Sequence, residues 1–251
     1  MSSEYDLSAD DLSAFPRPNL AVDLILMTIE NDELHILMLE RDRAPFKGLL
    51  ALPGGFVHPG ERLDDCAYRV LSDKAHLVEV PVEQLYSFSE PKRDPRGWVV
   101  SVAYLALVPF AKLEDAAGSD EGLALVRVNR DPTNGATTLI HGMARAELAF
   151  DHEAMIRTAV ERLRGKLDWS MVAFGLLPER FTLYELQRVH EVILGRRLNK
   201  NFFRKKMLAQ RFANGSRLFA TGLVTSGRSH RPAELFELRK EAKGQEAEQA
   251  D

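Results

Sequence analysis

LPGGFVHPGERLDDCAYRVLSDKAHL, residues Leu52 to Leu77, is the stretch from which the rest of the chain can be read. Pro53-Gly54-Gly55 and Pro59-Gly60 are turn formers on either side of a short apolar pair, Phe56-Val57. A charged, weakly amphipathic segment follows, and its spacing predicts a helix from near Arg62 to about Ala75. Five residues separate Gly55 from Glu61, and seven separate Glu61 from Arg69. Cys66, the only cysteine, lies in that helix. It reads as a small packed residue, no internal disulfide can form, and a reducing interior fits.

Upstream, residues 1–18 are polar and acidic with Pro16 and Pro18, and read as a loose arm. Two apolar runs, Leu20–Ile29 and Leu34–Leu39, flank a turn at Glu30-Asn31-Asp32-Glu33 and predict a hairpin. Downstream, Val78–Val80, Leu85–Phe88 and Leu123–Val128 are short strand candidates. Trp98–Phe110 alternates poorly, as a strand buried on both faces should. Residues 129–138 read as a loop. Asp151 is placed to cap a helix through Leu167, with Ile156, Ala159, Val160 and Leu163 on one stripe. Trp169–Pro178 reads as an irregular joint.

Beyond the joint the pattern changes. Thr182-Leu-Tyr-Glu185 has capping-box form and opens a helix to about Leu194, with Gly195 as its left-handed stop. Asn199 can cap a second helix from Lys200 to about Arg211. Phe203 and Met207 share one face of it, and Asn201, Arg204 and Lys205 fall roughly opposite. Phe202, Phe203 and Phe212 read as core. Leu218–Val224 and Pro232–Leu238 read as strands joined by a cationic tip with Arg228, His230 and Arg231. The order helix, turn, basic helix, hairpin outlines a winged helix-turn-helix. From Glu241 the charged tail looks disordered.

The chain has 251 residues, 45% of them hydrophobic, and a mean hydropathy of −0.22, enough for one large or two smaller soluble cores. No apolar run reaches membrane-spanning length and the polar N-terminus does not read as a signal peptide, so a cytoplasmic protein without a membrane partner is expected. The net charge of −4 conceals an asymmetry. Residues 181–240 hold 13 Lys and Arg against 4 Glu and no Asp, a net of +9, so the remainder sums to −13. Residues 192–233 contain no carboxylate. Such a surface suits the dense phosphates of a duplex. Lys200, Asn201, Arg204 and Lys205 are the candidate groove readers, with Arg228 and Arg231 reaching from the hairpin tip.

The glycine loop and its helix resemble the signature of Nudix hydrolases, Gly-x5-Glu-x7-Arg-Glu-apolar-x-Glu-Glu-x-Gly-apolar. That signature puts glutamates at what are here positions 70, 73 and 74, on one helix face. There they hold Mg2+ or Mn2+, which neutralise a diphosphate and activate water. This chain has Val70, Asp73 and Lys74, and His76 replaces the glycine. An apolar group and an ammonium cannot ligate Mg2+. The resemblance therefore implies a Nudix shape that has lost hydrolysis, with no catalytic residue, no metal ligand and no cofactor.

A wider set of stretches resembles the Nudix-related transcriptional regulators of NAD metabolism, the NrtR family. It comprises Pro45-Phe-Lys-Gly48, Leu52-Pro-Gly-Gly-Phe56, Asp94-Pro-Arg-Gly97, Val99-Val-Ser-Val-Ala-Tyr104, Ala149-Phe-Asp-His152, Phe181-Thr-Leu-Tyr-Glu-Leu-Gln187, Ile193-Leu-Gly-Arg196, Asn201-Phe-Phe-Arg-Lys-Lys206 and Arg231-Pro-Ala233. The implied fold class is α+β. A Nudix-like mixed β-sheet flanked by helices spans 19–168, a joint 169–180, and a winged helix-turn-helix domain 181–240, with an arm at 1–18 and a tail at 241–251. The implied function is a repressor that grips operator DNA as a homodimer and is released by ADP-ribose or a related nucleotide. Candidate effector contacts are Arg41, Lys47, Arg93 and Arg96, the Gly54-Gly55 backbone, and Lys74 at the former metal position. Two other readings stay open: a divergent Nudix hydrolase using Glu61 and Asp73 with Asp64 and Asp65, and an adaptor that docks protein on its basic domain.

Overall fold

The computed structural model describes residues 15–130, 137–225 and 232–240. In chain order the first part runs β1 (Asn19–Glu30), β2 (Glu33–Glu40), β3 (Leu50–Ala51), β4 (Gly54–Phe56), α1 (Leu63–Ala75), β5 (Glu83–Phe88), β6 (Val99–Leu107) and α2 (Phe110–Ser119). It continues with β7 (Leu123–Arg130), β8 (Thr137–His141), β9 (Ala144–Arg145) and α3 (His152–Lys166). The second part is β10 (Phe181–Thr182), α4 (Leu183–Leu194), α5 (Lys200–Ala209), β11 (Ser216–Val224) and β12 (Glu234–Lys240).

The expected hairpin forms between β1 and β2. Asn31 and Asp32 turn it with φ of 48° and 64°, the left-handed conformation that Asn and Asp tolerate. The sheet order is β5-β6-β1-β2-β7-β8-β9, with β3 against β2 and β4 against β1. β1 has three partners, running parallel to β6 from Asn19↔Val99 to Met27↔Leu107 and antiparallel to β2 and β4. Its side chains divide by parity. Val22, Leu24 and Leu26 face Cys66, Ala67, Val70 and Leu71 of α1, while Ile25 and Met27 face the side covered by Met155, Ile156, Ala159 and Leu163 of α3. Each such buried side chain contributes roughly 1.5–3 kcal/mol by leaving water.

The α3-side apolar cluster continues into the second part through Phe181, Leu186, Ile193, Phe203 and Phe236. There the Thr182–Glu185 capping box forms with both bonds, Gly195 stops α4 at φ 67°, and the Asn199 side chain accepts the Phe202 amide to start α5. These expectations held because their chemistry acts within one helical turn.

Other expectations did not. Val78–Val80 is not a strand; Glu79 turns the chain at φ 55° so that Val80 reaches the α1-side core. Phe110 opens α2 instead of ending a strand, and with only Leu113 and Ala116 buried on it α2 has too narrow an apolar stripe to mark it in the sequence. Part of the expected 129–138 loop is sheet, β8 pairing with β7; residues 131–136 lie outside the described ones. The joint contains a 3-10 turn, Val172–Leu176, whose Phe174 ring packs against Phe181 and Phe212. A third winged-domain strand, β10, pairs with β12. Helix α5 ends at Ala209 rather than Arg211. Phe203 and Phe212 are core, but Phe202 is 70% exposed because it lies on the solvent side of α5. Among the described residues no helix is long and apolar enough to cross a membrane.

Candidate nucleotide site and nucleic-acid interface

The floor of the first site is polar and buried. Asp23 on β1 stands opposite Gly54 of β4. The Ser101 hydroxyl donates to its Oδ2 at 2.5 Å. A Cβ at Gly54 would collide with Asp23 Oδ1, so only glycine allows that approach. Arg93, with 4% of its side chain exposed, donates to both oxygens of Asp151 at 2.7 and 3.1 Å and stands 3.7 Å from Asp23. The Leu52 amide donates to His152 Nδ1 at 2.9 Å, so in the neutral ring the proton sits on Nε2, 3.8 Å from Asp23 Oδ1. Burial lowers the His152 pKa and keeps that ring neutral.

Above this floor is a cationic, aromatic rim. The Arg41 guanidinium lies 4.8 Å over the Phe150 ring, and Arg96 lies 5.5 Å from Phe150 and 5.4 Å from Phe56. Phe46 meets Phe150 edge to face at 5.0 Å. Arg96 is held by both oxygens of Asp94 at 2.7 and 3.0 Å, which raises its pKa. Arg41 instead donates to backbone oxygens, Pro45 at 2.8 Å and Arg43 at 3.4 Å. Burial, then the charges of Arg96 and Arg43, lower the Arg41 pKa. Two guanidiniums thus converge on one ring with mutual repulsion that an anion would relieve.

Of the expected effector contacts, Arg41 and Arg96 come together, and exposed Lys47 follows on the Arg41 loop. Arg93 does not present itself to a ligand: it is consumed by Asp151 and Asp23, and so orders the start of α3. Gly55 sits at a hydrogen-bonded position against Val22 of β1, so the sheet takes up its backbone, whereas Gly54 lies opposite Asp23 at a non-hydrogen-bonded position with its amide directed away from β1. Lys74 lies in the last turn of α1, where its charge acts on Asp120. Phe46, Phe56 and Phe150 are not among the expected contacts, although each lies inside a stretch that carries the family resemblance.

The donors needed for a catalytic metal do not fit. Glu61 receives Arg69 at both oxygens, at 2.7 and 2.9 Å, and the His58 amide at 2.8 Å. The Arg69 bond, then the His58 amide, hold its pKa at about 2. Asp64 accepts the Tyr104 hydroxyl at 2.7 Å. Val70 is buried beneath Gly55, and Asp73 is exposed on its own turn. Among the described residues no group of three or more His, Cys, Asp or Glu is placed to hold a metal ion. Cys66 is buried, and that burial pushes its thiol up to about 11.

The second site is the outer face of α5. Lys200, Asn201, Arg204 and Lys205 are exposed while Phe203 and Met207 anchor the helix. A groove of about 370 Å³ separates α5 from the first turn of α4 and the start of β12. Arg228, His230 and Arg231 fall outside the described residues. The turn between α4 and α5 is held by Glu191, buried to 5% exposure, which accepts the Leu198 amide at 2.9 Å and the guanidinium of Arg197 at 3.1 Å. Arg188 joins Glu191 to Asp32 at the tip of the β1–β2 hairpin, 2.6 Å away.

The family of NrtR DNA-binding winged helix domains matches residues 173–238, and the NUDIX domain family matches residues 18–132. An ADPR responsive transcriptional repressor NtrR of Acinetobacter baylyi is 34% identical over 209 residues, covering 82% of this chain and 79% of that one. The chain belongs to the NrtR family. The crystal structure of Shewanella oneidensis NrtR complexed with a 27mer DNA is similar at a TM-score of 0.70 and 33% identity, over 88% of this chain and 93% of that one. An ADP-ribose pyrophosphatase of Methanocaldococcus jannaschii is 36% identical over 141 residues, 56% of this chain and 72% of that one. NrtR membership accounts for both parts of this fold, the Nudix sheet and the winged domain.

Proposed function

We propose that this NrtR-family protein is a repressor of NAD-metabolism genes that binds operator DNA as a homodimer and lets go when ADP-ribose, or a close nucleotide, occupies the rim of Arg41 and Arg96. The repressor relative from Acinetobacter baylyi is named for its response to ADPR, and the Shewanella oneidensis relative was crystallised on DNA. In this reading the diphosphate lies between Arg41 and Arg96, the adenine stacks among Phe46, Phe56 and Phe150, and no divalent ion is needed. Asn201 pairs with adenine, and Arg204 and Lys205 take guanine or phosphate.

The observation that carries the proposal is helix α3, whose 15 residues span about 22 Å. It begins beside the rim, where Arg93 holds Asp151. It ends against the DNA-reading unit. There Arg164 donates to the Ile193 carbonyl at 2.9 Å and the Leu167 backbone bonds His190, whose ring packs on Phe203 of α5. Just past its end, Asp168 pairs with Lys206 of α5 at 2.6 Å. A nucleotide that shifts the start of α3 therefore has a packed route to α5.

The test is a gel shift on the duplex upstream of neighbouring NAD genes. Retention should fall steeply with salt and be reversed by ADP-ribose. The Arg204→Glu/Lys205→Glu variant should lose retention while its circular dichroism stays native; unchanged operator affinity in that variant would remove α5 as the reader. The identity with the pyrophosphatase relative favours a second reading, a divergent Nudix hydrolase. Metal-dependent turnover of ADP-ribose at ordinary enzyme rates would establish it.

A further inference from the structure

The carboxylate-free run from residue 192 to 233 ends at Glu234, and the fold carries that first acid straight back to the basic helix. Its Oε2 stands 3.6 Å from Arg204 Nη2, with both side chains about half exposed, and the Arg204 guanidinium lies 6.0 Å over the Phe236 ring beside it. Glu234, Arg204, Lys200, Tyr184, Gln187 and Phe236 line the same groove. A carboxylate on a face that meets phosphates opposes binding to every duplex. Its presence there calls for a role in which opposition is useful.

We propose that Glu234 is a specificity-determining residue that makes Arg204 selective for a base edge over any phosphate. The proposal rests on the reading of α5 as a DNA reader. A half-exposed ion pair is weak in water, so Arg204 can leave it. It leaves readily for a partner offering two acceptors in the plane of its fork, such as guanine O6 and N7. A single backbone phosphate offers less and brings its own charge near Glu234. The pair thus taxes non-specific contacts more than the specific one, and specificity is that difference. Stacking over Phe236 keeps the guanidinium ordered during the exchange.

The experiment compares the full chain with Glu234→Gln and Glu234→Asp, on the operator duplex and on a scrambled duplex of equal length, across a salt series. Glu234→Gln should bind the scrambled duplex about tenfold more tightly, with its log–log salt slope steeper by about 1, because Arg204 is released to phosphate. Its operator affinity should move by less than about threefold, so selectivity falls several-fold. Glu234→Asp keeps the charge and should keep most of the selectivity. Equal tightening on both duplexes, or no change on either, overturns the role of Glu234 and leaves the DNA reading intact. Wild-type protein that retains neither duplex overturns the DNA reading and this proposal together.

Discussion

Asp151 occupies the N-cap position of α3, yet its carboxylate turns away from the helix to receive Arg93 at 2.7 and 3.1 Å. An aspartate there ordinarily caps its own first turn. Here a buried guanidinium has the stronger claim, because an unpaired cation in the interior is far costlier than an unfilled cap.

Truncating that pair is expected to be severe. Arg93→Ala leaves Asp23 and Asp151 close together without their cation and should cost about 3–5 kcal/mol in urea unfolding. Arg93→Lys restores a charge but not the fork, and should recover only part. An Arg93→Ala protein as stable as wild type would remove the organising role assigned to this residue.

Nucleotide affinity should depend on Arg41 and Arg96 in a way that DNA affinity does not. Each charge-assisted contact contributes about 1.5–3 kcal/mol, so Arg41→Ala or Arg96→Ala should weaken ADP-ribose binding roughly 10- to 100-fold by calorimetry. Operator retention without nucleotide should be unchanged in both. Loss of retention instead would show that these arginines support the fold rather than the ligand.

Gly54 should tolerate no side chain. The Cβ of Gly54→Ala meets Asp23 Oδ1 and comes to 3.0 Å from the Val22 carbonyl oxygen. Overpacking of this kind costs about 1–3 kcal/mol. Thermal unfolding should show the loss, whereas Gly48→Ala, with open space around it and strain only from φ 82°, should lose less.

Acid should loosen the turn before α5. Burial alone would raise the Glu191 pKa. The bonds from the Leu198 amide, Gln187, Arg188 and Arg197 outweigh burial and take it from 4.5 to about 2. A depressed carboxylate stabilises the fold above its unfolded pKa, and that stability is lost as pH falls from about 4.5 towards about 2. Wild-type unfolding should become easier across that window. Glu191→Gln should start less stable and show a shallower decline there; an identical pH slope in the two proteins would discount the carboxylate.

The asymmetry of charge was legible before any fold, and so was the loss of chelating carboxylates at Val70 and Lys74. Arg41 and Arg96 were also named from the sequence, but only as members of a longer set that included Arg93 and Lys74. Nothing in one-dimensional spacing distinguishes them. Which arginine is buried depends on where Asp23 and Asp151 arrive; the register of β1 places the first and the start of α3 places the second. Phe150 was invisible as a platform because its ring is positioned by a local φ of 55° and by Phe46 from a distant loop.

The sequence by itself determined what short-range chemistry can specify: the Asn31-Asp32 turn, the Thr182–Glu185 box, the Gly195 stop, the Asn199 cap, and the absence of a chelating helix face. Each depends on atoms within about one turn of the chain, so the residues involved are neighbours in any conformation the segment adopts. Only the tertiary structure decided that Arg41 and Arg96 share one ring, that Arg93 is spent inside, and that Glu234 returns to Arg204. Those pairings join residues far apart in the chain, and only the packing of β1, α3 and α5 brings them within reach.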